Sequence, residues 1–349
     1  MAWCLHKRTR TPESRHAKHT FVSDCGFPCC FGSLKGFNGG VQAAANKALA
    51  SLSEAGEKVS QAIVTSGMLQ CVKQQLDGTD SDIKTTGLDA VANVAQQSAA
   101  LATACADEDL LDKAIALLNE PTAREKLQEN VCVMLSAISA HTAELAKKTL
   151  DHGAVDAAVN MLQPEHDTQP KLQAAALHCL AHISCHESSS ASVVSAAGTG
   201  EAAIRLAATP NPALRHAATS LLHQIASRTA QLCKSIASGG CVTALIAALR
   251  LDQGTAFAVA PLLALGHIGS SAPTFAQAVR WHSTHECLGT VYCFAINVQR
   301  RQAAGDCCGR DPRVRSCTAR WYRQPCEGCS LGTAAQRSSW TSHCNTMGN

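Results

Sequence analysis

Three histidines spaced four residues apart are the strongest candidates for chemistry in this chain of 349 residues. His178, His182 and His186 would lie on one face of a helix, with Cys179 and Cys185 beside them. Neutral imidazoles at this spacing can chelate zinc. The alternative interpretation is a row of polar surface positions, because histidine is frequent here, at 15 residues. We favour this alternative and predict no metal centre.

A second zinc-like motif lies at residues 325–329, which read PCEGC. It matches the second half of the deaminase signature, P-C-x-x-C, whose first half is H-x-E. No histidine in the chain is followed two residues later by glutamate. Phosphate-binding loops, zinc-protease motifs and nucleophile elbows are also missing from the sequence. We therefore predict that the protein is not an enzyme and has no cofactor.

The centre of the chain repeats every 42–45 residues, and this repeat must position the histidines. The repeat is marked by an apolar residue followed three positions later by Leu, Val or Ile. Five of the six positions seven residues further on are also apolar, which indicates one buried helical stripe. The six pairs are Leu49/Leu52, Val91/Val94, Leu135/Ile138, Leu180/Ile183, Leu222/Ile225 and Leu265/Ile268.

Glycine follows the second member of the pair by fifteen residues in four of the first five units. These glycines are Gly67, Gly153, Gly198 and Gly240. Glycine adopts the left-handed conformation that ends one helix before the next begins. Polar segments with proline or glycine then separate the units. The pattern thus predicts that each unit contains, in this order, a long helix, a short helix, a glycine elbow and another helix.

Three-helix units of this length are typical of armadillo repeats, which stack because no unit can bury its apolar stripe alone. We predict an all-α fold, namely a right-handed armadillo-type α-solenoid of about six repeats over residues 41–280. In the fourth unit Ser190 replaces the apolar residue of the short helix, together with Ser188 and Ser189. We expect that helix to be frayed.

The flanking segments 1–40 and 281–349 differ from the repeat in composition. They hold 12 of the 19 cysteines and a net charge of +8, whereas residues 41–280 carry −5. We predict that both flanks are poorly ordered or are non-native coding sequence. The C-terminal arginines lack periodicity, so we predict no nucleic-acid partner. No apolar run reaches the roughly 18 residues that span a bilayer, and we predict a cytoplasmic protein without a membrane partner.

Three stretches of the repeat resemble the armadillo repeats of the sperm-associated antigen six family. They are SAISAHTAELAKKTLDHGAV (136–155), LLHQIASRTAQLCKSIASGGCV (221–242) and LLALGHIGSSAPTFAQAV (262–279). The shared phrase I-[AS]-x-x-[ST]-x-x-L begins at Ile138 and at Ile225. This resemblance covers residues 41–280.

The resemblance implies a non-catalytic protein–protein interaction scaffold of the axonemal central pair, needed for the movement of cilia and flagella. It implies axonemal central-apparatus proteins as partners, with tubulin in microtubules as a further candidate. The implied localisation is the cytoskeleton of the cilium or flagellum.

The alternative function is a cytoplasmic cargo or tethering adaptor of the vacuolar-armadillo or importin-like type. A vacuolar-type tether favours an acylated N-terminus. Residue 2 is alanine, which excludes N-myristoylation and leaves Cys4 as a weak palmitoylation candidate. Nuclear-import receptors line their groove with repeated Trp and Asn, but the matching columns here contain one Asn and no Trp.

Armadillo proteins line their groove with the third helix of each unit, which implies the binding positions in this chain. The residue before the second member of each apolar pair faces the groove, as does the position four residues earlier. From the polar members of these two columns we take five candidate partner-binding residues: Asn93, His178, His182, Gln224 and His267.

Overall fold

The computed structural model describes residues 33–34, 38–120, 123–252 and 255–271. The predictions made for residues 1–32, 35–37 and 272–349, which cover nearly all of both flanks, lie outside this part of the chain. The described residues form helices and connecting turns without a strand, so the prediction of an all-α fold is confirmed. Two short 3-10 helices, Pro164–His166 and Ala256–Ala258, precede long helices.

The α-helices of the described chain follow one another in a repeating order of one long helix and two shorter ones. They are α1 (Gly39–Ser53), α2 (Glu57–Thr65), α3 (Met68–Leu76), α4 (Ser81–Ala95), α5 (Ala99–Cys105), α6 (Glu108–Leu118), α7 (Glu125–Ser139), α8 (Ala143–Asp151), α9 (Ala154–Asn160), α10 (Pro170–Ser184), α11 (Ser188–Ala196), α12 (Thr199–Ala207), α13 (Pro212–Ala226), α14 (Ala230–Ser238), α15 (Cys241–Leu251) and α16 (Val259–Ser271). We call α1, α4, α7, α10, α13 and α16 the third helices, after the groove-lining helix of armadillo repeats, although each stands first in the repeats as counted here.

Side-chain caps start the short helix of several repeats. The hydroxyl of Thr142 accepts a hydrogen bond from Leu145 N at 3.2 Å, and the hydroxyl of Thr229 accepts one from Leu232 N at the same distance. Ser98 caps α5 in the same way. Ser and Thr are favoured at this position because they satisfy a backbone N–H that has no partner within the helix. The Ser/Thr of the repeated phrase is therefore a helix cap.

The four predicted elbow glycines all adopt the left-handed conformation. Their φ angles lie between 81° and 90°, and each begins the helix that follows it. The second repeat has no glycine at its elbow. There Asp107 adopts an extended backbone conformation and caps the next helix. Its carboxylate accepts a hydrogen bond from Leu110 N at 3.4 Å. The elbow can thus be made by glycine or by a capping aspartate.

The third helices pack directly on one another along the repeat. Consecutive third helices make the most extensive helix–helix contacts in the described chain. The first members of the apolar pairs lie in this seam and are at most 1% exposed: Leu49, Val91, Leu135, Leu180, Leu222 and Leu265. Burial of one such side chain contributes about 1.5–3 kcal/mol. The apolar pairs are therefore the contacts that join the repeats.

The short helix of the fourth repeat is complete, so the expectation that it is frayed is wrong. Helix α11 runs from Ser188 to Ala196, with Ser190 only 5% exposed at the position of the apolar residue in other repeats. Ala191 and Val194 are fully buried in the same helix. Their burial holds the helix where the serine side chain contributes little apolar area.

The longest apolar stretches of the described chain are helices of the repeat. No single helix within these residues is long and apolar enough to cross a membrane. Helices α14 and α15 reach that length and composition only as a pair, and they meet at a bend of 81°.

A buried ion pair fastens α13 to the end of α15. Arg215 is 4% exposed and Asp252 is 1% exposed. The Nε of Arg215 donates to Asp252 Oδ2 at 2.9 Å, its Nη2 donates to Oδ1, and its Nη1 donates to the carbonyl of Thr209 at 2.7 Å. The hydrogen bond to Asp252 raises the pKa of Arg215, against the effect of burial.

Removal of this guanidinium should destabilise the protein strongly. Arg215→Ala leaves Asp252 buried without a partner, which costs about 3–5 kcal/mol. The control is Arg124→Ala, since Arg124 pairs with Asp82 at 2.9 Å while both side chains are more than two-thirds exposed. That change should cost less than about 1 kcal/mol. Urea denaturation followed by circular dichroism measures both, and equal losses would contradict the buried role.

The elbow glycines give a second test through a matched pair of alanine substitutions. Gly153 has a φ of +85° and Gly269 lies in α16 with an ordinary backbone, and an added Cβ meets no atom within 4 Å at either site. Gly153→Ala should destabilise the protein by about 1–2 kcal/mol, because an L-residue resists this conformation. Gly269→Ala should stabilise it by up to about 1 kcal/mol. Urea denaturation measures both changes in the free energy of unfolding. A Gly153→Ala variant that is more stable than the unmodified protein would contradict the need for glycine at this elbow.

Candidate binding groove on the third helices

The predicted binding residues all lie on the third helices and are half-buried. Asn93 belongs to α4, His178 and His182 to α10, Gln224 to α13 and His267 to α16. Since consecutive third helices are in contact, these side chains form a row along one side of the repeats. We call this row from Asn93 to His267, together with the charged and polar side chains that flank it, the third-helix groove.

His182 and His186 contact the preceding third helix. The Nδ1 of His182 lies 2.8 Å from the Ser136 hydroxyl and 3.1 Å from the Ser136 carbonyl oxygen. The Nε2 of His186 lies 2.9 Å from the carbonyl oxygen of Ser139. Each imidazole therefore has a ring nitrogen engaged with α7. Among the described residues, no group of three or more His, Cys, Asp or Glu side chains is arranged to hold a metal ion.

His178 instead lies near two aromatic rings of the following repeats, those of His216 and Phe257. Its ring centre lies 6.3 Å from that of His216 on α13, and His216 lies 4.9 Å from the ring of Phe257. The pKa of His178 is lowered to about 4, first by burial and then by the nearby His182 and His216. Burial also lowers the pKa of His216, against the opposing effect of Asp252.

A second cluster joins α13 to α16. The rings of His223 and His267 lie 5.4 Å apart, and Gln224 Oε1 accepts a long hydrogen bond of 3.4 Å from Arg228 Nη2. Burial, His267 and Arg228 lower the pKa of His223 to about 4. Burial and Arg228 also lower the pKa of His267. These imidazoles are therefore neutral at pH 7 and can donate or accept hydrogen bonds.

The other end of the groove is acidic. Asp89 on α4 is half-buried, and its pKa is raised by burial and by the charges of Glu54 and Glu129, while Lys126 lowers it. Lys126 forms an ion pair with Glu129 at 2.8 Å. Asn93 lies one helical turn beyond Asp89 on the same helix. The groove thus changes from carboxylates at α4 and α7 to imidazoles at α10, α13 and α16, with Arg228 just after α13.

Several groove residues lie outside the two columns used to predict the site, among them His216, His223, Arg228 and Phe257. His216 precedes the second member of its apolar pair by nine residues, and Arg228 follows it by three. An alignment of the units shows a signal for Arg228, because His141 and His186 occupy its position in the third and fourth repeats. Phe257 carries no repeat signal, because it lies in the 3-10 helix before α16.

Four buried cysteines of the repeats are poor candidates for nucleophiles. Burial raises the pKa of Cys105, Cys179 and Cys241 to about 12, and the pKa of Cys132 is also raised well above its usual value. The reactive form of cysteine is the thiolate, which is scarce at such a pKa. The chemistry available in the groove is therefore hydrogen bonding, charge pairing and aromatic contact.

The neutral histidines predict that acid destabilises the protein. An unfolded histidine binds a proton near pH 6.5, whereas folded His223 does so only near pH 4, so the unfolded state binds more protons between these values. The free energy of unfolding should fall as pH decreases through this window. His223→Gln should reduce that fall by roughly 1–3 kcal/mol.

Urea denaturation at several pH values measures this slope. Ser227→Ala on the same turn is the control, because it truncates a neighbouring polar side chain without removing a titrating group. Its slope should match that of the unmodified protein. A His223→Gln slope equal to both would show that His223 does not remain neutral in the fold.

Comparison with known proteins supports the fold. No family model matches the sequence, and no curated protein matches it. An engineered protein aligns with a TM-score of 0.70 at 23% identity, over 83% of this chain and 72% of its own. A designed armadillo repeat protein in complex with the peptide (KR)4 aligns with a TM-score of 0.62 at 18% identity, over 69% of this chain and 98% of its own.

Computationally designed armadillo repeat proteins for modular peptide recognition align similarly, with a TM-score of 0.61 at 18% identity, over 69% of this chain and 99% of theirs. These likenesses establish the architecture, and they leave the resemblance to the sperm-associated antigen six family as a prediction. The prediction of the fold is confirmed, since the repeats of this chain form an armadillo-type α-solenoid.

Proposed function

We propose that the protein is a non-catalytic scaffold that binds an extended segment of a partner protein along the third-helix groove. The observation that carries this proposal is the row of half-buried polar side chains on the third helices from Asn93 to His267. Such side chains are shielded enough to strengthen hydrogen bonds, yet they remain accessible to a ligand. The solved structure of a designed armadillo protein with a bound peptide supports this mode of binding.

The amides of Asn93 and Gln224 suit the backbone of an extended segment. Each amide carries both a donor and an acceptor, as does each peptide unit. An extended chain leaves its own N–H and C=O groups unpaired, so they are free to bond to the groove. The imidazoles between the two amides add polar contacts and flat surfaces against which side chains can pack.

We further propose that the partner is a protein of the axonemal central apparatus, with tubulin as a further candidate, and that the chain is needed for ciliary or flagellar movement. The support is the resemblance of residues 136–155, 221–242 and 262–279 to the sperm-associated antigen six family. The location that we propose is the cytoskeleton of the cilium or flagellum. The alternative of a cytoplasmic cargo or tethering adaptor uses the same groove with a different partner.

Localisation of the tagged full-length chain in a flagellated cell tests both parts of the proposal. The unmodified chain should remain with the axoneme after detergent extraction. The double variant Asn93→Ala, Gln224→Ala should be retained about tenfold less, since two lost hydrogen bonds weaken binding by roughly 1–2 kcal/mol.

The matched control truncates two exposed amides on short helices, Gln61→Ala and Gln231→Ala. This control should be retained like the unmodified chain. An unmodified chain that is extracted with the cytoplasm would contradict the axonemal role and favour the adaptor. Equal retention of the groove variant and the control would contradict binding in the groove.

A further inference from the structure

Arg228 departs from a contact that its equivalents make in two other repeats. In the third repeat, His141 Nε2 lies 2.8 Å from the carbonyl oxygen of Ala95, at the end of the preceding third helix. In the fourth repeat, His186 Nε2 makes the equivalent contact with Ser139 at 2.9 Å. Arg228 occupies this position in the fifth repeat, yet its Nη2 donates to Oε1 of Gln224 within its own repeat, at 3.4 Å.

The guanidinium of Arg228 is therefore under-satisfied. Its Nε is buried without a hydrogen-bond partner, and Arg228 forms no ion pair among the residues that the structure describes. This contrasts with Arg215 of the same repeat, whose guanidinium pairs with Asp252. A half-buried cation without a counter-ion is costly unless a ligand supplies one.

Within the part of the chain that the structure describes, the groups that face Arg228 are neutral. Burial raises the pKa of Cys185 against the opposing charge of Arg228. Burial lowers the pKa values of His223 and His267, and the charge of Arg228 lowers both further. The Nδ1 of His223 is buried and has no hydrogen-bond partner either. Arg228, Gln224 and the two imidazoles thus offer several hydrogen-bond donors to one place in the groove.

The charge of the two halves of the solenoid agrees with this local arrangement. Residues 41–169 contain nine basic and eighteen acidic residues, a net charge of −9. Residues 170–271 contain six basic and three acidic residues, a net charge of +3. The half that contains Arg228 therefore attracts anions, whereas the half that contains Asp89 repels them.

We propose that Arg228, with Gln224, His223 and His267, forms a subsite for an acidic side chain of the bound segment. A carboxylate of Asp or Glu accepts charge-assisted hydrogen bonds from the guanidinium and replaces the missing counter-ion. This inference rests on the proposed binding of an extended segment in the groove. It adds that the segment is acidic where it crosses the fifth and sixth repeats, and that the carboxylates near Asp89 favour basic residues at its other end.

The spacing of the helices sets the length of such a segment. Packed helices lie about 8–10 Å apart, so α4 and α13 are separated by roughly 25–30 Å over three steps. An extended chain covers about 3.3 Å per residue, so the basic and acidic ends should be about eight residues apart. A segment of fewer residues cannot contact both ends at once.

Fluorescence anisotropy with the full-length chain and two synthetic probes tests the subsite. The first probe joins (KR)4, the peptide bound by the designed armadillo protein, to four glutamates through a Gly-Ser spacer of about eight residues. The second probe carries glutamine in place of each glutamate. The glutamate probe should bind the unmodified chain about tenfold to a hundredfold more tightly than the glutamine probe.

Arg228→Gln should remove this preference, whereas Arg228→Lys should keep part of it because the charge remains. The matched control is Lys234→Gln, which removes an exposed cation from the short helix α14 and should leave the preference unchanged. Equal affinity for the two probes would overturn the acidic subsite and leave binding in the groove intact. A preference that survives Arg228→Gln, or that Lys234→Gln also removes, would likewise overturn it. Failure of both probes to bind would overturn the groove proposal itself.

Discussion

The structure depends on the packing of consecutive third helices through their apolar pairs. One repeat exposes more apolar surface than its own three helices can cover, so each repeat is stable only beside a neighbour. Leu135, Leu180 and Leu222 are fully buried in this seam. Stability is therefore approximately a sum over repeats and their interfaces, and a defect in one seam weakens mainly the two repeats that it joins. The buried pair of Arg215 and Asp252 adds a polar tie to this apolar packing.

The same packing creates the groove and sets its electrostatics. Because the third helices contact one another directly, side chains at equivalent positions come together on one side of the repeats. Half-burial there penalises charge, which is why the pKa values of His178 and His223 are lowered to about 4. The imidazoles can therefore lie within 5.4–6.3 Å of one another without repulsion at neutral pH. A stack of helices with protonated histidines at these distances would be less stable.

Much of the fold could be predicted from the sequence, because a residue buried between neighbours must recur once per repeat. The apolar pairs located all six third helices, and the elbow glycines were located because few other residues adopt a positive φ cheaply. The prediction that helix α11 is frayed was wrong, because Ala191 and Val194 supply the buried apolar area that the serine side chain of Ser190 lacks. In the groove, the two columns located Gln224 and His267 on the correct helices. The columns do not include His216 and Phe257. The contact between these two rings depends on how helices of different repeats pack, and the periodicity of the sequence does not encode that packing.

Equivalent positions in a repeat protein also separate structural from functional side chains. A contact that recurs with the same geometry, such as that of His141 with Ala95 and of His186 with Ser139, is explained by the packing of one repeat on the next. Where the column changes to Arg228, this structural explanation no longer applies, because the guanidinium has a buried Nε without a partner. A long, charged side chain costs more to hold half-buried than the imidazole that serves elsewhere in the column. The cost is offset if a ligand supplies the anion, so the departure from the repeat is itself the argument that the groove binds an acidic group at this position.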